Sequence, residues 1–159
     1  MVKIRPLDLT PEVFRRIVSE MMRPDKLHVS DEERDEWSVL NRLAWMCHGG
    51  LTLWEGYDLA GDGVLVFWDI RPGLKCTVML VIWGTSFWGP DVVREARALM
   101  DDVAVRHSLR KMESETASAE SARLARMVGF ETEGVKFNSF IRDGELKDVT
   151  LLGKCFGGE

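Results

Sequence analysis

The stretch from Thr77 to Met100 constrains this chain more than any other. Residues Thr77 to Trp83 (TVMLVIW) form an apolar run of strand length, and Gly84 to Pro90 (GTSFWGP) is rich in breakers. From Asp91 the spacing turns helical. Val92, Val93, Ala96, Leu99, Met100, Val103 and Ala104 recur every three or four residues, with Arg94, Glu95, Arg97, Asp101 and Asp102 on the other side. A buried strand therefore feeds an amphipathic helix through a tight turn. Such a helix start offers free N–H groups and the positive end of its dipole to an anion. Two readings of the turn stay open. It can receive a phosphate, or Asp91 can act as the N-cap, behind Pro90 and with Val93 packed on the sheet, so that the loop satisfies its own N–H groups.

The rest of the chain fits a single domain over residues 1–159, with 45% hydrophobic and 30% charged residues and enough length to bury a core without disulfides. A net charge of −5, with no basic run, argues against a nucleic-acid binder. Cys47, Cys76 and Cys155 are odd in number and widely spaced, which fits a reducing, cytoplasmic setting, and they form no metal-ligand spacing with His28, His48 and His107. No apolar run approaches the roughly 18 to 20 residues of a membrane span, and no signal-peptide pattern opens the chain.

In order, Val2 to Leu7 reads as a first strand. Thr10-Pro11-Glu12 starts a helix that Arg23-Pro24 stops, and Ser30 with Glu33 opens a second helix that ends at His48-Gly49-Gly50. Strands follow at Leu51 to Tyr57, Gly63 to Ile70 and Cys76 to Trp83, separated by Gly61-Asp62-Gly63 and Arg71-Pro72-Gly73. After the helix at Asp91, Lys111 to Thr116 alternates as a strand with one wet face. Ser118 to Val128 is a short helix that Gly129 ends, with Phe130 folding back on it. Val135 to Arg142 and Glu145 to Leu152 form a hairpin about Asp143-Gly144. The order β-α-α-β-β-β-α-β-α-β-β, with one parallel crossover at its centre, predicts a mixed α/β sheet with helices on both faces.

The segment Ser118 to Leu152, SAESARLARMVGFETEGVKFNSFIRDGELKDVTLL, resembles the GNAT superfamily of N-acyltransferases, in particular the branch that acetylates protein N-termini and its small-molecule relatives. Ser121, Leu124, Gly129, Phe130, Glu133, Gly134, Arg142, Asp143, Gly144 and Asp148 carry the resemblance, together with Phe87-Trp88-Gly89 and Glu95-Ala96. It implies the GNAT fold, a mostly antiparallel sheet splayed at its central parallel pair. It also implies acetyl-CoA as acyl donor and a primary amine as acceptor, on a protein N-terminus or a small molecule. A homodimer or another assembly partner stays open.

Carried onto this chain, the resemblance lays the pantetheine arm between the splayed strands with the thioester beside Ile82, Trp83 and Gly84. The pyrophosphate falls over Trp88, Gly89, Asp91, Val92 and Val93, and Ser118 opens the neighbouring helix. Ser121 matches a serine of the branch that stands near the thiol sulfur. It reads equally as the partner of Ser118 in a helix cap. Glu113, like Glu55 and Asp69, is a candidate base, against the plainer reading of a surface carboxylate. Three residues depart from the pattern: Pro90 has no N–H to donate, Asp91 puts a carboxylate where glycine is usual, and Val93 adds a branched side chain. Ala125 stands where the family has a tyrosine that protonates the thiolate, and Tyr57 is the chain's one tyrosine. These departures keep a second function in view, a GNAT-fold binding or structural module without catalysis, such as an accessory subunit or a phage-encoded protein. Of the six tryptophans, Trp45, Trp54, Trp68, Trp83 and Trp88 can line an acceptor groove, whereas Trp68 and Trp83 fit the core better.

Overall fold

Turn chemistry and alternation set the strand boundaries in the computed structural model, which describes residues 4–8, 10–21, 53–60, 63–82, 89–142 and 144–157. The elements are β1 (Arg5–Pro6), α1 (Pro11–Met21), β2 (Leu53–Asp58), β3 (Gly63–Arg71), β4 (Lys75–Ile82), α2 (Pro90–Arg106), β5 (Lys111–Thr116), α3 (Ala119–Met127), β6 (Glu131–Arg142) and β7 (Glu145–Cys155). The seven strands among the described residues make one sheet in the order β1-β2-β3-β4-β5-β7-β6. Every pairing is antiparallel except β4 with β5. This is the mixed sheet with one central parallel pair that the element order implies. The helix expected from Ser30, with its Glu33 cap, lies outside the described residues, as does the turn at Gly61-Asp62.

Each face of the sheet has its own cover. Leu65 and Phe67 of β3, Cys76 and Val78 of β4, Met112 of β5 and Leu152 of β7 share a core with Val92, Ala96, Met100 and Val103 of α2 and Ala122 of α3. Full burial of side chains the size of Phe67, Leu65 and Met112 contributes about 1.5 to 3 kcal/mol each. Strand alternation turns Val64 and Val66 the opposite way, and both are buried. There Arg16 of α1 meets Asp58, the register partner of Val64, at 3.2 Å, while Ile17 and Val18 of α1 are buried. The Thr10 hydroxyl accepts from the Val13 N–H at 3.3 Å, the cap that Thr10-Pro11 signals.

Several boundaries differ from expectation. β1 is a two-residue edge strand, where Pro6 costs the ladder little. β6 begins at Glu131 rather than Val135, because Glu131 and Thr132 pair with Gly153 and Leu152 across a register shift that no alternation reveals. Trp68 is half-buried rather than core. It faces away from Phe67, beside a register shift and next to Asp69 at φ 47°. Gly129 (φ 103°) ends α3 as the sequence predicts, and buried Phe130 folds back with its N–H on the Ala125 carbonyl.

Candidate active site

The sheet opens at its parallel pair. β4 and β5 pair at Lys75–Lys111, Cys76–Met112 and Thr77–Glu113, and their shared ladder stops there. Both strands continue: β4 pairs with β3 as far as Ile82–Gly63, and β5 with β7 as far as Thr116–Thr150. Each is therefore held on its outer edge while the edge between them is open. At the point of parting the Ser114 hydroxyl donates to the Val78 carbonyl at 3.0 Å.

Two helices begin beyond the carboxyl ends of these strands. α2 follows β4 and has Gly89 as its N-cap, with extended backbone and no side-chain cap. The expectation that Asp91 caps this helix is corrected. Asp91 lies one residue inside Pro90, its side chain is 79% exposed, and it meets Arg94 at 3.3 Å. Pro90 has no N–H, and the Val93 N–H is taken by the Gly89 carbonyl at 3.2 Å. That leaves the N–H groups of Asp91 and Val92, which no side-chain cap among the described residues serves, at the positive end of a seventeen-residue helix. A Cβ at Gly89 would meet nothing within 4 Å among the described residues. Val92 is wholly buried and Val93 packs against the core, so both side chains serve the core and neither can hold an anion. Trp83, Gly84 and Trp88 lie outside the described residues, as does Trp45. Ile82 ends β4 in the unshared part of the strand.

α3 begins with Ser118, whose hydroxyl accepts from the Ser121 N–H at 3.2 Å. The cap reading of this pair is therefore the observed one, and it uses only the backbone of Ser121. The half-buried Ser121 hydroxyl stands in the first turn, at the end of the helix nearest the parted strands. Ala125, where the resemblance implies a tyrosine, packs against the core. Tyr57 does not replace that tyrosine. Its hydroxyl lies with Glu55 (3.1 Å) and Arg106 (2.9 Å) at the far end of α2, about 25 Å from the helix start.

Glu113, the candidate base, is held in ion pairs. It stands on the last paired rung with Lys75 at 2.9 Å and Lys111 at 3.5 Å. The Lys75 hydrogen bond, above all, holds its carboxyl below the usual range. Lys111 in turn meets Glu133 at 2.8 Å, which raises the lysine. Asp69 is engaged by Arg71 at 2.9 Å, and Glu55 by Arg106 and His107. Burial pushes the Cys76 thiol up to about 12, with Glu55, Asp69 and Glu113 adding to it, so Cys76 is no nucleophile. Sequence reasoning missed Ser114. The alternation of Met112, Ser114 and Thr116 places it on the covered face but carries no sign that the ladder ends beside it. Among the described residues, no cluster of ligands could hold a metal, and no helix is long and apolar enough to cross a membrane.

No protein-family profile matches the chain, and no curated protein does. Solved structures do. A Salmonella typhimurium acetyl transferase that modifies the N-terminal serine of a 50S ribosomal subunit protein superposes with a TM-score of 0.72 at 16% identity, over 99% of this chain and 97% of that one. The chain has the GNAT fold. A probable GNAT acetyltransferase from Chromobacterium violaceum matches at 0.68 and 20% identity, over 96% of this chain and 81% of that chain. Spermidine N-acetyltransferase from Vibrio cholerae, in complex with CoA and spermine, matches at 0.65 and 17%, over 96% and 95%. In this GNAT fold the parted pair is β4–β5, and α2 and α3 start at its mouth.

Proposed function

We propose that this chain is a cytoplasmic N-acetyltransferase that moves an acetyl group from acetyl-CoA to a primary amine, on a protein N-terminus or a polyamine-like small molecule. The observation that carries the reading is the open edge between β4 and β5 with an uncapped helix start at its mouth. A slot with free strand groups suits the amides of an extended arm, and a helix start suits a diphosphate. The residues present fit such a donor: Asp91 and Val92 N–H for the diphosphate, and the unshared backbone of β4 up to Ile82 for the arm.

Acetyl-CoA supplies an activated thioester. In the transfer the amine nitrogen bonds to the acetyl carbon, the carbon–sulfur bond breaks, and the amine's proton ends on the thiol. The free β4 N–H groups stabilise charge on the acetyl oxygen, and Ser121 is the hydroxyl that hands a proton toward the sulfur. Glu113, fixed between two lysines, stays an ionised surface group. The alternative of a module without catalysis gains nothing from the neighbours, which are described as acetyltransferases.

The test is thermal melting with acetyl-CoA, followed by thiol release with spermidine and with N-terminal peptides as acceptors. At a hundred times its dissociation constant the donor adds about 2.7 kcal/mol, a rise of roughly 5 to 10 °C for a chain of this size. An unmoved melting curve and no thiol release with either acceptor would overturn the reading.

A further inference from the structure

Ser114 follows the last rung of the parallel pair, at the point where the ladder stops while both strands go on. With Thr77 opposite Glu113, the parallel pattern points the backbone groups of Cys76 and Val78 toward β5 and those of Glu113 and Glu115 toward β4. Regular continuation would bring the Glu115 N–H to the Val78 carbonyl. That carbonyl instead accepts the Ser114 hydroxyl at 3.0 Å. The parting is not fraying, since β3 holds β4 to Ile82 and β7 holds β5 to Thr116. Strand period two then turns the N–H and C=O of Leu80 and Ile82 into the gap, where β5 does not take them.

We propose that Ser114 is a positioning residue that ends the β4–β5 ladder at Val78, and so keeps the Leu80 and Ile82 backbone groups free for the amide-bearing arm of the acyl donor. This rests on the acetyl-transfer reading above. The hydroxyl acts by occupying an acceptor. Removing it offers the Val78 carbonyl to the Glu115 N–H, and the slot closes by one rung. A buried backbone acceptor seldom stays unpaired, which supplies the drive for closure. Threonine keeps a hydroxyl and preserves the stop.

The experiment compares the wild-type chain with S114A and S114T, using coenzyme A and its adenosine bisphosphate half, which lacks the arm. S114A is expected to bind coenzyme A about tenfold more weakly, the equivalent of one or two lost hydrogen bonds, and to bind the bisphosphate as wild type does. S114T is expected to restore coenzyme A binding. Amide hydrogen exchange on the ligand-free protein is expected to show the Glu115 amide slowed in S114A. If wild type binds coenzyme A and S114A binds it equally well, this inference fails and the acetyl-transfer reading stands. Equal weakening toward both ligands, with a lower melting temperature and no slowing at Glu115, would make Ser114 merely structural and overturn it too. Wild-type protein that binds neither ligand sinks the acetyl-transfer reading and this inference with it.

Discussion

Arg106, the last residue of α2, donates to the Glu55 carboxylate of β2 at 2.7 Å and so ties the helix's carboxyl end to the sheet. His107 reaches the other oxygen of Glu55 at 2.8 Å, and Arg106 also donates to the Tyr57 hydroxyl at 2.9 Å. A cation here also favours the negative end of the helix dipole. Glu55→Gln keeps the shape but leaves Arg106 without its counter-charge. We expect a loss of about 1 to 2 kcal/mol, read as a fall of roughly 2 to 8 °C in Tm. An unchanged Tm would show that the cluster is ornamental to the fold.

The same carboxylate gives stability a pH dependence. Burial pushes Glu55 up, but Arg106 and His107 together outweigh it and hold the group below its ordinary value. Glu113 is also held low, first by Lys75. A folded-state value below the unfolded one means stability that is complete above the unfolded value and lost as pH falls through the folded one. Urea denaturation should therefore give a flat stability between about pH 7 and 5 and a decline below about pH 4.5. In the Glu55→Gln, Glu113→Gln double variant the decline should be shallower, and an equally steep one would remove these two groups from the account.

The order of elements was legible because its signals are local. Thr10-Pro11, Gly129 and Asp143-Gly144 set boundaries through backbone chemistry that needs no partner. The candidate site was legible only as a place. Asp91 looks like a cap in sequence, yet Gly89 takes that position because Pro90, with its fixed φ, suits the first helical residue. The parting of β4 and β5 is marked by a bond between Ser114 and Val78, far apart in the chain, which no periodicity encodes. The ion pairing of Glu113 was hidden for the same reason, since Lys75 reaches it only once the parallel rung has formed.

Asp91 and Val93 are expected to behave differently, although both depart from the pattern that the resemblance implies. The Asp91 carboxylate is exposed and paired with Arg94, so solvent and that guanidinium weaken its repulsion of a diphosphate. Asp91→Ala should tighten acetyl-CoA binding by less than about tenfold, with salt reducing the gain. Val93 packs against the core, and Val93→Ala should cost about 1 kcal/mol of stability without improving binding. Isothermal titration and urea melts separate the two. Tighter binding from the Val93 change would contradict the packing assigned here.

Gly153 is buried on β7 where Glu133 crosses to Lys111, and an added Cβ would collide with the Glu133 carboxylate. Gly153→Ala must displace that carboxylate. That carboxylate is the far end of a flexible side chain, so we expect a cost of no more than about 1 kcal/mol, mainly the exposed pair with Lys111, and absent when Glu133 is shortened to alanine in the same chain. Additive losses in this double-mutant cycle would rule out the clash as their cause.

Ser118 and Ser121 share one hydrogen bond but are expected to fail in different ways. Ser118→Ala removes the acceptor of the cap on α3 and should lower stability by about 1 kcal/mol. Ser121→Ala keeps the N–H that the cap uses, so Tm should hold. If the Ser121 hydroxyl hands a proton to the departing sulfur, kcat should fall about tenfold to a hundredfold while KM for acetyl-CoA stays put. Threonine at position 121 should recover part of that rate, because it keeps the hydroxyl. Full activity in Ser121→Ala would move the proton's route to solvent and leave α3 a purely structural part of the site.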